Sequence, residues 1–500
     1  MTGVLSVLLW LPIAGVLVLL VLPRNRPGAL RGTAFGVALL ELVVACAAGA
    51  ALDRAHAGTL QFVEQARWIP SIGVSYHLGA DGLSLPLVIL TALLMVLCVV
   101  YSWRVELRVK EYMIVLLLLE AGMVGVFLAL DLFLFYVFWE VSLIPMYALI
   151  AIWGGPRRAY AAIKFFLYTL VASLAMLLAI LVIYLHSTPR TFDLVALVAQ
   201  HPLADDLPLA ALAFWGFFLG FAVKVPLVPF HTWLPDAYAE APTAGSVLLA
   251  GAMSKLGAYG FIRILLPLLP AAFRAEAGVV AVLAVIGTVY GALVALAQTD
   301  LKRLIAYGSI GHLGYVMLGV AAAAAVAGGP GGPAATALDG ATLQMLAHGV
   351  ITGALFFLAG VLADGEAGTS ALSEFGGLGA RLPVFTGVAM LVMLASLGLP
   401  GLMGFVAEFL IFLGAFQVYP VLTVYALAGV VLTVVYFVWT IQRLFFGPPS
   451  ARWSALPDLD GRERWVLAPL AAAMVVFGVF PRPLVDVINL ATVNILGLVR

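Results

Sequence analysis

Charged side chains are scarce in this chain of 500 residues, where aspartate, glutamate, lysine and arginine together make up 10% of the sequence. A soluble globular domain carries about 25%. Hydrophobic residues reach 64%, and the mean hydropathy is +1.14. Because long apolar runs recur from end to end, no stretch is left for a soluble domain. The composition predicts an all-α polytopic membrane protein.

Cysteines and nucleotide-binding motifs are also nearly absent. The two cysteines, Cys46 and Cys98, both lie in apolar runs, which excludes a cysteine-ligated iron–sulfur cluster and argues against a disulfide framework. The sequence has no phosphate-binding loop and no CxxCH haem motif, so ATP is not the expected energy source, and no cofactor or metal is expected in this chain. The formal net charge is zero, which argues against nucleic acid as a partner.

The apolar runs predict about fourteen membrane-spanning helices, because one span needs about 20 mainly apolar residues. The first run has no basic region before it and no obvious cleavage site, so it is expected to be a retained helix. The predicted helices cover residues 3–22, 33–52, 83–102, 112–130, 132–152, 161–185, 208–230, 243–265, 277–297, 304–325, 340–363, 384–416, 421–446 and 465–490.

Lysine and arginine are concentrated in alternate loops, which sets the expected orientation. The pattern depends on dividing residues 112–152 into two helices at Asp131, which we interpret as a helix cap. Both termini are then predicted to face outside a bacterial cell (inner, or plasma) membrane. The basic loops follow predicted helices 1, 3, 5, 9, 11 and 13 and contain Arg24, Arg26, Arg31, Arg104, Arg108, Lys110, Arg157, Arg158, Lys302, Arg303, Arg381, Arg452, Arg462 and Arg464.

Two of the predicted helices are interrupted. Helix 7 contains Lys224, Pro226 and Pro229, and helix 12 contains Pro400 and Gly401. Paired interruptions in the two halves of a membrane protein indicate the working sites of a transporter. The two helices are five apart, so a five-helix repeat would be inverted. We therefore predict helices 1–3 in residues 1–111, inverted repeats of helices 4–8 in 112–266 and 9–13 in 277–446, and helix 14 in 465–500.

Glu140 and Lys224 are predicted to lie deep in the membrane, where ionisable side chains are expensive and usually functional. Burial disfavours the charged form of a lysine, and a nearby carboxylate favours it. A lysine whose acidic partner approaches or retreats can therefore change its protonation. We interpret the pair as a proton switch; the alternative is a static structural ion pair.

Further ionisable residues follow along the chain. Lys255, His312, His348 and Glu408 lie near the centres of predicted helices 8, 10, 11 and 12. Histidine titrates near neutral pH and suits a proton relay, although a single core histidine is usually structural, and a metal site would lack further ligands. Glu120 and Lys164 are secondary candidates, Lys164 being equally compatible with an interfacial anchor. Glu41 is a less convincing candidate for a functional role than Glu120, and the side chain of Arg263 is expected to extend to the membrane interface.

Several long motifs resemble the M subunits of the bacterial-type proton-pumping NADH–quinone oxidoreductase (respiratory complex I), and the resemblance spans nearly the whole chain. The wider family includes the large subunits of multisubunit cation/proton antiporters. The motifs are FWEVSLIPMY at 138–147, WGG at 153–155, AIKFFLYT at 162–169, KVP at 224–226, HTWLPDA at 231–237, EAPT at 240–243, and DLKRLIAY at 300–307 followed by Gly311-His312.

The resemblance implies an antiporter-like subunit that translocates protons while other subunits transfer electrons. It implies that Glu140 pairs with Lys224, and that Lys255, His312 and His348 form a central hydrophilic axis. Glu408 occupies a position where M subunits carry glutamate and the related L subunits carry lysine. FMN and iron–sulfur clusters are expected in partner subunits, and L- and N-type antiporter-like subunits and lipids are the expected neighbours.

Two other functions remain open at this point. The first is a subunit of a separate cation/proton antiporter, which would not copurify with flavin and iron–sulfur chains. The second is a membrane scaffold whose buried charges only fix helix packing. A quinone-binding role is weaker, because aromatic-rich helices are common in membrane proteins.

Overall fold

The structure, a computed structural model, describes residues 3–326, 332–448, 451–453 and 455–499, and these are mainly helical. The first half contains α1 (Val4–Val21), α2 (Pro27–Ala51), α3 (Ser84–Tyr101), α4 (Val109–Leu128), α5 (Leu132–Trp153), α6 (Arg158–His186), α7 (Leu194–Gln200), α8 (Leu207–Lys224), α9 (Leu234–Glu240), α10 (Thr243–Leu248), α11 (Ser254–Gly260) and α12 (Leu266–Leu268). Two π-helical segments, Leu249–Met253 and Phe261–Leu265, join α10, α11 and α12 into one run.

The second half contains α13 (Pro270–Leu296), α14 (Leu301–Ala325), α15 (Pro333–Ala363), α16 (Pro383–Ser396), α17 (Met403–Val418), α18 (Pro420–Phe445), α19 (Gly461–Val479) and α20 (Arg482–Gly497). Within the described residues, 12 helical runs are long and apolar enough to cross a membrane. The short apolar helices α16 and α17 are the halves of predicted helix 12, and α19 with α20 forms a bent pair. The chain is therefore a multi-pass membrane protein: 12 of the fourteen predicted spans are single helical runs, and predicted helices 12 and 14 are each divided in two.

The C-terminal helix differs from the prediction of one span over residues 465–490. It is divided into α19 and α20, which are bent by 76° relative to each other. The prolines at 481 and 483 explain the bend, because proline lacks the N–H that a continuing helix requires. A hydropathy profile measures only how apolar a segment is, so it does not show this change of direction.

Aspartates begin many of the helices by capping their free N–H groups. Asp131 accepts hydrogen bonds from the backbone N–H groups of Phe133 and Leu134 at 2.9 and 3.1 Å, which confirms the predicted division between α4 and α5. Asp300 caps α14 in the same way. Asp460 forms a capping box with the third residue of α19.

Residues 53–82, for which the apolar runs predict no helix, contain a β-hairpin. Strands β1 (Gln61–Ile69) and β2 (Val74–Ala80) pair antiparallel. Gly73 takes a φ of 71° before β2, a value that glycine adopts without steric cost. The hairpin is held to α1, since Glu64 accepts a hydrogen bond from the backbone N–H of Leu5 at 2.8 Å.

The loops predicted to be basic contact one another at one end of the helix bundle. Arg104, after α3, forms an ion pair with Asp460, before α19, at 2.8 Å. Arg157, after α5, and Arg303, at the start of α14, both contact Asp236 in α9, at 3.4 and 3.1 Å. These contacts agree with the alternation of loops predicted from the sequence.

Candidate functional site

The first helix break occurs at Lys224, the last residue of α8. Pro226 cannot donate a backbone hydrogen bond, and its φ of 26° is incompatible with a continuing helix. The indole N–H of Trp233 donates to the carbonyl of Val223 at 2.9 Å, so protein groups replace part of the lost helical bonding. Predicted helix 7, over 208–230, therefore extended too far: Pro229 lies in the non-helical connection before α9.

Lys224 and Glu140 approach each other at this break without forming a close ion pair. Lys224 is only 2% exposed, and its Nζ lies 5.1 Å from the centre of the Trp139 ring. Glu140 follows Trp139 in α5 and is half-buried, and its charge acts on Lys224. Within the described residues, neither Lys224 Nζ nor Glu140 Oε1 has a hydrogen-bond partner. The two side chains are near each other, but no hydrogen bond or ion pair joins them, so the pair is open.

The second break separates α16 from α17. Gly398 takes a φ of +79°, which is strained for any residue with a Cβ. Pro400 and Gly401 are exposed at the apex of the connection. Glu408, in α17, turns back towards the break, and its Oε2 lies 2.9 Å from the place where a Cβ on Gly398 would be. The break therefore makes room for a buried carboxylate.

Four of the predicted residues follow one another in a buried chain between the two halves. Lys255 Nζ lies 2.6 Å from His348 Nδ1. The ring centres of His348 and His312 are 5.9 Å apart. His312 Nδ1 in turn lies 3.3 Å from Glu408 Oε1. These four side chains come from α11, α15, α14 and α17, and each is at most 5% exposed.

The chain includes polar residues that sequence reasoning missed. Gln344 donates through Nε2 to Glu408 at 3.4 Å, and Ser396 Oγ lies 3.4 Å from His312 Nε2. Both line a small cavity together with His312, His348 and Glu408. The spacing could have identified Gln344, which lies four residues before His348 and so on the same face of α15.

Lys255 lies in α11, between the two π-helical segments. Its Nζ also donates to the carbonyl of Ala250, and it lies 3.3 Å from Ser254 Oγ. Short π-helical segments are rare in proteins, and those that do occur are often found at functional sites. Two residues further on, Gly257 packs against the end of α8: a Cβ there would lie 2.6 Å from the carbonyl oxygen of Phe221. This close approach connects the helix of Lys255 to the first break.

Lys164, a secondary candidate, is not part of this chain. It forms an ion pair with Asp236 at 2.8 Å, at the end of the bundle where the basic loops meet. Asp236 was not singled out from the sequence. The sequence feature that could have identified Asp236 is an acidic residue soon after the first helix break, in a chain with few charges. Because Arg303 also contacts it, Asp236 connects α6 and α9 with α14.

Three further charged residues considered from the sequence, Glu120, Glu41 and Arg263, also lie outside this chain. Glu120, the second secondary candidate, is fully buried in α4, as Glu41 is in α2. The expectation that Arg263 extends to the membrane interface is wrong, because the residue is 8% exposed and pairs with Asp81 at 2.5 Å. Across the described residues, no group of three or more His, Cys, Asp or Glu side chains could hold a metal ion.

Comparisons with known proteins identify the family to which the chain belongs. A family model described as "NADH:quinone oxidoreductase/Mrp antiporter, TM" matches residues 129–435. NADH-quinone oxidoreductase subunit M of Rhodobacter capsulatus is 42% identical over 504 residues, covering 98% of this chain and 95% of that protein. The same subunit of Pseudomonas aeruginosa is 45% identical over 440 residues, covering 86% and 83%.

Solved structures show the same fold. A chain of respiratory complex I from Thermus thermophilus with bound NADH matches with a TM-score of 0.88 and 33% identity, covering 99% of this chain and 100% of that one. A chain of the Mrp complex from Dietzia sp. DQ12-45-1b matches with a TM-score of 0.83 at 22% identity, covering 98% and 97%, a likeness of fold. This chain belongs to the NADH:quinone oxidoreductase/Mrp antiporter membrane family and, within it, to the M subunits of NADH–quinone oxidoreductase.

Proposed function

We propose that the chain translocates protons in the membrane arm of an NADH:quinone oxidoreductase. The observation that carries this proposal is the buried chain from Lys255 through His348 and His312 to Glu408. These side chains can each take up and release a proton, and they come from helices of both halves of the protein. The oxidoreductase is the whole assembly. This chain contributes proton movement, and other subunits contribute electron transfer.

The contact between Lys255 and His348 is the step that the geometry defines best. An ammonium group donates and cannot accept, whereas a neutral imidazole has one accepting nitrogen. The 2.6 Å between Nζ and Nδ1 is a hydrogen-bonding distance, and transfer of a proton from the ammonium group to the imidazole moves a positive charge from α11 to α15. A water molecule between the two histidine rings, in the cavity that Gln344 also lines, would continue the path to Glu408.

Glu140 and Lys224 act as the switch in this proposal. An ion pair closed at the break would favour the charged amine, and the open arrangement favours its neutral form. The ring of Trp139, the residue before Glu140 in sequence, lies beside the amine, with its centre 5.1 Å from Nζ. Electron transfer elsewhere in the assembly would shift the balance between the open and closed states, which differ in protonation.

We further propose two inverted repeats, in residues 112–266 and 277–446, with three helices before them and the bent C-terminal pair after them. The direction of the two broken helices supports this: α8 runs towards the basic end of the bundle, and α16 runs away from it. The proposed membrane is the bacterial inner or plasma membrane, with both termini outside. L- and N-type subunits are the proposed neighbours, and FMN and iron–sulfur clusters belong to partner chains.

NADH-driven proton pumping in membrane vesicles tests the proposed function. In Glu140→Ala, assembly on a native gel should be retained and pumping should collapse. Glu366→Ala is the matched control, because Glu366 is an exposed loop residue, and it should pump as the unmodified protein does. Normal pumping by an assembled Glu140→Ala variant would mean that the switch is not at this helix break.

The alternative function is a subunit of a multisubunit cation/proton antiporter, which the family description also includes. Purification of the tagged chain in mild detergent distinguishes the two. Copurified flavin and iron–sulfur proteins indicate the oxidoreductase. A preparation without them, from vesicles that exchange cations for protons, indicates the antiporter.

A further inference from the structure

Two acidic side chains face each other outside the axis described above. Glu41 lies in α2 and Glu120 in α4, and both are 0% exposed. The two carboxyl groups are within hydrogen-bonding range of each other. In the described part of the chain, none of their four oxygens has a hydrogen-bond donor. Two acids are therefore in contact with no other group to satisfy them.

The surroundings of this pair contain no compensating charge. Every ion pair found among the described residues within 4.0 Å uses other acids, so no cation balances these two. Cys98, in α3, is the titratable neighbour close enough for the charge of Glu120 to act on it, and a thiol is a weak donor. The pair lies between helices that precede the two proposed repeats or begin the first one.

Two ionised carboxylates are incompatible with this site. Each would be a buried charge without a donor, and the two would repel each other at contact distance. A proton resolves both problems, because an O–H on one carboxyl donates to an oxygen of the other. Pairs of like-charged acids that share a proton are known from enzyme sites for the same reason.

We propose that Glu41 and Glu120 form a proton-binding site, in which at least one proton is held between the two carboxyl groups at neutral pH. The site is separate from the chain between Lys255 and Glu408. Its ligand is the proton itself, and its capacity is set by two acids that cannot both be ionised. The proposal concerns protonation alone, so it does not depend on the pumping test above.

Infrared difference spectroscopy of the assembled complex in lipid tests this site. The C=O stretch of a protonated carboxyl group is separate from that of a carboxylate, so the wild type minus the double variant Glu41→Gln/Glu120→Gln should show a protonated-carboxyl band. The control Glu366→Gln should not remove it. Glutamine keeps the shape of the side chain, and two amides can hydrogen-bond each other, so assembly should be retained.

The single variants Glu41→Gln and Glu120→Gln keep the test decisive if the double variant fails to assemble. In each, an amide N–H replaces the shared O–H as donor, so the protonated-carboxyl band should be lost or shifted. A spectral region that is unchanged in both single variants and in the double variant would overturn the proposal, because both acids would then be ionised in the unmodified protein.

Discussion

A methyl group added at Gly257 tests whether the close approach between α11 and the end of α8 matters. The Cβ of Gly257→Ala would lie 2.6 Å from the carbonyl oxygen of Phe221 and 3.0 Å from the backbone nitrogen of Val225. Backbone atoms cannot rotate away as a side chain does. The helices must separate, and this moves Lys255 relative to Lys224.

The magnitude follows from two opposing effects. Overpacking of this kind costs about 1–3 kcal/mol, and replacing glycine by alanine inside a helix returns about 1 kcal/mol. The net loss of stability is therefore up to about 2 kcal/mol. Gly36 is the matched control, because a Cβ there has nothing within 4 Å, and Gly36→Ala should be neutral or stabilising by up to about 1 kcal/mol.

The assay has two readouts on the assembled complex. The midpoint temperature of disassembly should fall for Gly257→Ala and hold or rise for Gly36→Ala. The number of protons pumped per NADH oxidised should fall for Gly257→Ala only. If the two variants behave alike in both measurements, the packing between α8 and α11 does not position the lysines, and the reasoning is refuted.

Three further predictions concern acids in different settings. Asp236→Asn should cost about 1–3 kcal/mol of stability, because it removes charge-assisted hydrogen bonds. Asp486→Asn is the control and should cost at most about 1 kcal/mol, because the ion pair of Asp486 is exposed. The midpoint temperature of disassembly measures both effects. Burial raises the pKa of Asp193, but the hydrogen bond from His77 and the helix-capping bonds to Asp193 outweigh burial and lower that pKa below 3.8. The stabilisation from ionised Asp193 is complete above 3.8, the unfolded-state pKa, and fades as the pH falls through the lower folded-state pKa. The difference in stability between wild type and Asp193→Asn should therefore shrink in acid. Glu408→Gln keeps the shape but cannot release a proton, so assembly should persist while NADH-driven pumping falls, and unchanged pumping would remove Glu408 from the path.

The sequence predicted those features of the site that depend on rare residues in an apolar background. Lys224 and Pro226 mark the first break because a charge and a missing N–H are both costly at membrane depth. The same reasoning selected His312, His348 and Glu408, which the structure brings into one chain. Their contact depends on how helices far apart in sequence pack together. No periodicity encodes this packing, and for these positions the resemblance supplied what spacing could not.

Other features depend on local geometry that leaves little trace in composition. The π-helical segments contain ordinary apolar residues, since their identity is a matter of hydrogen-bond register. The β-hairpin at residues 61–80 is short and mixed in polarity, so a search for long apolar runs passes over it. The position of Arg263 near a predicted helix end led to the wrong expectation that it reaches the membrane interface. The sequence does not show that its partner is Asp81, which lies 182 residues away.

The two π-helical segments also constrain how this region can change by insertion or deletion. A π turn contains one more residue than an α turn, and one residue of an α-helix corresponds to a rotation of about 100°. The segment Phe261–Leu265 contains Arg263 and follows Lys255 by less than two turns. Because the wider turn absorbs its additional residue locally, deleting one residue there would restore a regular α-helix and leave the residues after it facing as before, whereas a deletion elsewhere in the helix would turn them by that angle. Within this membrane helix, the π-helical segments are therefore the places where the length can change by one residue without turning the residues that follow.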